Sequence, residues 1–118
     1  MPVKICILIP TAVVVKGRPE GLRRNLYFTL ERYAYRTPFG WVIDYEVCED
    51  LLKARLVKMN EEFKSLTGAP LFRLLVAVVD ESQLEELLES REREPLSEIG
   101  KKLEEKLQKH KARVVEQS

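Results

Sequence analysis

Two long runs of β-branched and aliphatic residues constrain the fold of this chain more than any other feature. Residues 3–15 read VKICILIPTAVVV and residues 71–79 read LFRLLVAVV. Side chains of a strand point alternately to its two faces, and in these runs both faces are largely apolar. Strands of that kind are expected to be covered on both sides. Pro10 cannot donate a ladder hydrogen bond, so it predicts a bulge, a break or an edge position.

After the first run, two segments have apolar residues at helical spacing. A first helix is predicted from about 20 to 36, where Thr37 and Pro38 end it. Residues 39–43 are short and apolar and are interpreted as a third strand or an extended link. A second helix follows Asp44, which serves as its N-cap, and ends near Thr67.

Two more helices follow the second run. A capping box of Ser82 and Glu85 predicts the start of the third helix. The fourth is predicted over about 96–113, with Leu96 and Ile99 at the start of its apolar stripe. Strands covered on both faces need helices above and below them. The predicted fold is therefore a single α/β or α+β domain over residues 1–118, with the order β-α-(β)-α-β-α-α.

Composition limits the classes of partner. The chain is 45% hydrophobic and 33% charged, with a formal net charge of +1, so it is not a simple polycation. No window approaches the ~20 apolar residues of a membrane helix, and no signal peptide precedes the first run. A cytoplasmic protein without a membrane partner is expected. Abundant charged residues with few Asn and Gln are typical of thermophilic proteins. A sheet of two or three strands is small, which favours a homo-oligomer.

Arginine and aromatic residues are concentrated between residues 18 and 45, which hold five of the ten arginines and seven of the nine aromatic residues. On the first helix, one set falls opposite the leucine stripe: Arg24, Phe28, Arg32 and Tyr35. Three interpretations are open. The helix is sandwiched in the core with its arginine heads reaching solvent, the face is a protein interface, or it stacks on bases and binds phosphates of nucleic acid.

Candidate sites for chemistry are sparse. The turn over residues 16–21 precedes a helix and is a weak candidate for an anion site formed by Gly17, Arg18 and Arg23, although an ordinary turn is the default. Asp80 follows the second long strand, where α/β proteins often place functional groups. Cys6 and Cys48 have no metal spacing and are interpreted as separate buried thiols. No cofactor and no metal are predicted.

The leading functional hypothesis is a non-enzymatic binding or adaptor protein that acts through protein–protein contacts and associates with itself. One alternative is a nucleic-acid-binding accessory protein that uses the arginine and aromatic helix face. A second alternative is a small enzyme with a site near Asp80 or the turn at 16–21. A single histidine, His110, in a basic stretch leaves little with which to build nucleophilic catalysis.

Overall fold

The structure, a computed structural model, describes residues 2–12 and 15–117. Those residues form an α+β fold, as predicted, and Val13 and Val14 of the predicted first strand lie outside them. The strands and α-helices are, in chain order, β1 (Val3–Pro10), α1 (Arg18–Tyr33), β2 (Tyr35–Thr37), β3 (Gly40–Asp44), α2 (Lys53–Thr67), β4 (Phe72–Val79), α3 (Glu81–Glu89) and α4 (Lys102–Gln117). A π-helical turn, Val47–Leu52, precedes α2, and a 3-10 turn, Ile99–Lys101, precedes α4.

The four strands form one antiparallel sheet in the order β2-β3-β1-β4. The elements from β1 to β4 follow the β-α-β-β-α-β order of split βαβ, or ferredoxin-like, domains. The predicted short strand at 39–43 is in fact part of a hairpin. The Thr37 hydroxyl donates to the Gly40 carbonyl at 2.8 Å and accepts from the Phe39 amide at 3.1 Å, which closes the turn between β2 and β3.

Helices cover the middle of the sheet on both faces. Cys6 and Leu8 of β1 point into one apolar cluster with α1 and α2. Val3 and Ile5 point into a second cluster with α3 and α4. Successive side chains of a central strand therefore enter different cores, as the doubly apolar pattern of the first run predicts.

The second run does not behave in the same way. β4 lies at an edge of the sheet, and Val76 and Val78 are 54% and 64% exposed. The prediction that this strand is covered on both faces is wrong. Alternation shows that both faces of this strand are apolar. It does not show whether the helical layers of the same chain extend far enough across the sheet to cover its outermost strand.

Two local predictions at the ends of helices are also corrected. The first helix ends at Tyr33, so Tyr35 belongs to β2 and is 0% exposed. The third helix is capped by Asp80, whose side chain accepts from the Gln83 amide at 2.9 Å while the Gln83 side chain accepts from the Asp80 amide. The capping box is thus two residues earlier than the Ser82 and Glu85 pair. Asp44 accepts from the amides of Glu46 and Val47, so it caps the helical segment that continues through the π-helical turn into α2, as predicted, although α2 itself starts only at Lys53.

Gly100 is held against the end of α1, which gives a prediction for stability. A Cβ at this position would lie 2.6 Å from the Pro95 Cβ and 2.9 Å from both the Arg32 carbonyl oxygen and the Tyr33 Cα. The backbone atoms of Arg32 and Tyr33 cannot move aside without distorting the end of α1. Gly100→Ala should therefore lower the free energy of unfolding by about 1–3 kcal/mol.

Gly21 supplies the matched control for this substitution. It lies within α1, and a Cβ there meets nothing within 4 Å. Gly21→Ala should therefore raise the free energy of unfolding by about 0.5–1 kcal/mol. Urea unfolding of both variants measures the difference. An equal effect of the two substitutions would contradict the close packing of Gly100 on α1.

Candidate functional site

The outer edge of β4 has unpaired backbone groups. At the end of the β1–β4 ladder, the Thr11 amide donates to the Leu71 carbonyl at 2.9 Å. Antiparallel ladder bonds alternate along a strand, so the odd-numbered residues of β4 bond to β1. The amides and carbonyls of Leu74, Val76 and Val78 then point away from β1. No strand in the described part of the chain lies on that side.

Side chains make the same edge apolar. Leu74, Val76 and Val78 lie on the sheet face that carries α1 and α2, because they pair with residues of β1 on that face, yet all three are exposed. Leu75 is exposed on the opposite face. Arg73 is the only charged residue in β4. A long apolar edge with so little charge is a template for pairing with another strand. We call Phe72–Val79 with these exposed side chains the β4 edge.

The other edge of the sheet is covered by the chain itself. The Arg36 amide donates to the Arg93 carbonyl at 3.1 Å, and the Glu92 amide donates to the Arg36 carbonyl at 2.7 Å. The Arg36 guanidinium also lies 3.3 Å from the Glu92 carboxylate. These contacts occupy the outer side of β2 as an additional strand would. Of the two edges, β4 is the one that is left open.

The proposed helix face is only partly brought together. Arg24, Phe28 and Arg32 lie on the exposed side of α1, where Phe28 is 70% exposed. Tyr35 is absent from this face because it points into the core beside α4, where its hydroxyl accepts from the Glu104 amide at 3.4 Å. Burial raises the pKa of the Tyr35 hydroxyl. The prediction that Tyr35 belongs to this exposed face is wrong.

Leu96 lies beside Phe28 instead, a neighbour that the helical spacing of the sequence does not reveal. The Leu96 and Ser97 amides donate to the Glu31 and Arg32 carbonyls, each at 3.0 Å, and so satisfy carbonyls at the end of α1. Leu96 is consequently held against α1 with its side chain 76% exposed, instead of starting the stripe of the last helix. Pro95, directly before it, is compatible with the start of a helix as well as with its interruption, so no local signal places Leu96 outside the last helix. We call Arg24, Phe28, Arg32 and Leu96 the Phe28–Leu96 patch.

The Phe28–Leu96 patch contains a shallow concavity. It has a volume of about 280 Å³ and is lined by Phe28, Glu31, Arg32, Leu96 and Ser97. Glu31 is paired with Arg93 at 3.4 Å. No ion pair in the described part of the chain engages Arg24 or Arg32. The patch therefore combines two large apolar side chains with two uncompensated positive charges.

The weak anion site is not assembled at the start of α1. Arg18 forms an ion pair with Glu62, and Arg23 lies 3.8 Å from Glu20. Pro19 has no amide hydrogen, and the Glu20 amide donates to the Gly17 carbonyl at 3.1 Å. Few backbone donors and a carboxylate in the first turn are unfavourable for binding an anion.

Asp80 and the cysteines are in structural positions. The Gln83 amide, together with the Ser82 hydroxyl, lowers the pKa of the Asp80 carboxyl, as expected of an ionised N-cap. Cys6 and Cys48 are both buried and free, as predicted, but they contact each other. The hydrogen bond that the Cys48 thiol donates to Cys6, together with burial, raises the pKa of Cys48, which keeps this thiol protonated and unreactive.

Comparisons with protein-family models, curated proteins and solved structures found no match to this chain. Within the described residues, three or more His, Cys, Asp or Glu side chains nowhere come together as a metal site would require. The same residues include no helix that is both long and apolar enough to cross a membrane. The case for a function therefore depends on the two surfaces, the β4 edge and the Phe28–Leu96 patch.

Proposed function

We propose that this chain is a non-enzymatic protein-binding module that associates with itself through the β4 edge. The observation that carries the proposal is the combination of outward backbone groups and exposed side chains at Leu74, Val76 and Val78 on the same strand. Natural proteins usually protect such an edge with charges, proline, bulges or a covering segment. This chain protects the β2 edge in that way and leaves the β4 edge apolar.

A second copy fits the β4 edge without opposing charges. Two β4 strands can pair antiparallel about a two-fold axis perpendicular to the sheet, centred on Leu75, so that Leu74 of one copy faces Val76 of the other. Arg73 of one copy then faces Ala77 of the other, not a second arginine. The result is a continuous sheet of eight strands in which all outward amides of β4 have partners.

The nucleic-acid alternative has less support from the geometry. It keeps Arg24, Phe28 and Arg32 on one exposed face, but burial of Tyr35 removes one of the two rings proposed to stack on bases. Glu31 lines the concavity of the same patch and pairs with Arg93, so this pair adds no net positive charge that would attract phosphate. The enzyme alternative loses the candidate role of Asp80, whose carboxylate is engaged as a helix cap.

Sedimentation equilibrium tests the proposal. We expect a mass of twice 13.7 kDa for the wild-type chain at micromolar concentration. A mass of 13.7 kDa that persists up to millimolar concentration would overturn self-association. Bound oligonucleotide with strongly salt-dependent affinity, found together with a monomeric mass, would favour the nucleic-acid alternative instead.

A further inference from the structure

We infer that the Phe28–Leu96 patch is a second contact between copies of this chain, self-complementary and separate from the β4 edge. Phe28 and Leu96 are the two most exposed large apolar side chains among the described residues. Two such side chains at one site mark an interaction surface more often than a solvated helix face.

The chain also has exposed acidic residues that can pair with the arginines of this patch. Leu96 is flanked at two residues on either side by Glu94 and Glu98. Both carboxylates are exposed, the Glu98 side chain at 89%, and each has only a nearby surface partner, Arg91 at 3.3 Å or Lys101 at 3.6 Å. Exposed pairs of this kind contribute little and can exchange partners.

The order of the charges around Phe28 and Leu96 fits a reciprocal contact. Arg24 and Arg32 are eight residues apart on α1, which places them about 12 Å apart along the helix axis with Phe28 midway. Glu94 and Glu98 lie on either side of Leu96 in the bent segment that runs into the 3-10 turn, so a long and flexible carboxylate side chain extends from each side of Leu96. When Leu96 of one copy packs on Phe28 of the other, its two carboxylates can approach the two arginines. A two-fold axis repeats the contact in reverse.

A second copy explains the patch better than nucleic acid does. The acidic residues Glu31 and Glu94 line the concavities next to Leu96, where carboxylates are unfavourable for a phosphate backbone. In a contact between two copies, the carboxylates of Glu94 and Glu98 are the partners of the arginines. The aliphatic Leu96 also matches a protein surface, since it has no ring on which a base could stack.

The position of the Phe28–Leu96 patch in the fold determines how its contact would combine with pairing through the β4 edge. The segment that carries Leu96 follows residues that cover the β2 edge, whereas β4 is the opposite edge of the sheet. A copy that uses both surfaces therefore contacts neighbours on two sides. Dimers formed through the β4 edge would join into tetramers and longer rows. This extension depends on the proposed function, but the patch contact itself does not.

The experiment disables one surface at a time and measures mass by sedimentation equilibrium over a wide concentration range. The mass of the wild-type protein should grow from twice 13.7 kDa to four times this value and beyond as the concentration rises. Phe28→Glu should stop at twice that mass, because the dissociation constant of the second contact rises by at least about tenfold. Val76→Lys should retain only the weaker patch contact, and Val76→Lys/Phe28→Glu should be monomeric at every concentration.

A charge exchange and a matched control make the result specific. Arg32→Glu should weaken the second contact, and Arg32→Glu/Glu98→Arg should restore it. Arg55→Glu changes an exposed arginine of α2 outside the patch and should have no effect.

Three outcomes would decide against one claim or the other. Identical masses for wild type and Phe28→Glu at all concentrations would overturn the patch contact and leave the β4 edge standing. An unchanged dimer in Val76→Lys that Phe28→Glu abolishes would support the patch contact and overturn the proposed role of the β4 edge. Binding of an oligo(dT) strand that Arg24→Glu/Arg32→Glu abolishes would assign the patch to nucleic acid and overturn the inference.

Discussion

Val76→Lys is expected to convert the protein from a dimer to a monomer at low micromolar concentration. Val76 lies next to the two-fold axis of the proposed β4 pairing, and its backbone groups point outward. The substitution places two ammonium groups diagonally across the new ladder, at about 7–8 Å, within an otherwise apolar strip. Like charges in an interface cost several kcal/mol, so the dissociation constant should rise by at least about 100-fold.

The fold of the single chain should tolerate this change. Val76 is already more than half exposed, so a lysine there meets solvent when the chain is alone. The control is Phe39→Lys, which replaces an exposed large apolar residue in the turn between β2 and β3, at the opposite edge of the sheet. It should leave the dimer intact. Equal dissociation by Val76→Lys and Phe39→Lys would indicate a general effect of added charge and not a contact at β4.

Lys106→Met is expected to cause a loss of stability larger than that of Gly100→Ala. Asp44 is 0% exposed, and its carboxylate accepts from the amides of Glu46 and Val47 and pairs with the Lys106 ammonium of α4. Without Lys106, a buried carboxylate loses its only close cation among the described side chains. The free energy of unfolding should fall by about 2–4 kcal/mol.

The comparison variants isolate the buried charge. Asp44→Asn/Lys106→Met removes both charges but keeps a side-chain oxygen for the cap, so it should recover part of the loss. Lys102→Met breaks the exposed ion pair with Glu46 and should have a much smaller effect. Urea unfolding of each variant in a Val76→Lys/Phe28→Glu background excludes the contribution of association to stability. A change after Lys106→Met no larger than that after Lys102→Met would contradict the role of the pair.

Periodicity in the sequence predicts the parts of the fold whose cause is local. The leucine spacing of the first two helices, the N-cap at Asp44 and the coverage of the first strand on both faces all follow from residues that are close in sequence. Periodicity misplaces Tyr35 because a residue seven positions after Phe28 fits a helical face, whereas Ala34 actually leaves the helix in an extended conformation. Only the tertiary structure shows that its ring enters the core beside α4.

The candidate surfaces depend on information that periodicity does not contain. Alternation in LFRLLVAVV does not show that β4 is the outermost strand, because the strand order is set by long-range pairing with β1. Leu96 fits the pattern of the last helix because its spacing to Ile99 and Leu103 is helical. The hydrogen bonds from its segment to the end of α1 hold it outside that helix, and they join residues more than 60 positions apart.

Amide hydrogen exchange of β4, followed by NMR at low and high protein concentration, is the decisive test of self-association through this edge. The amides of Leu74, Val76 and Val78 have no partner within the described part of the chain, whereas the amides of Leu75 and Ala77 point toward β1. Pairing through the β4 edge predicts that the first set gains protection as the dimer forms and loses it in Val76→Lys, while the second set stays protected. Rapid exchange at Leu74, Val76 and Val78 in a sample shown to be dimeric would contradict pairing through the β4 edge.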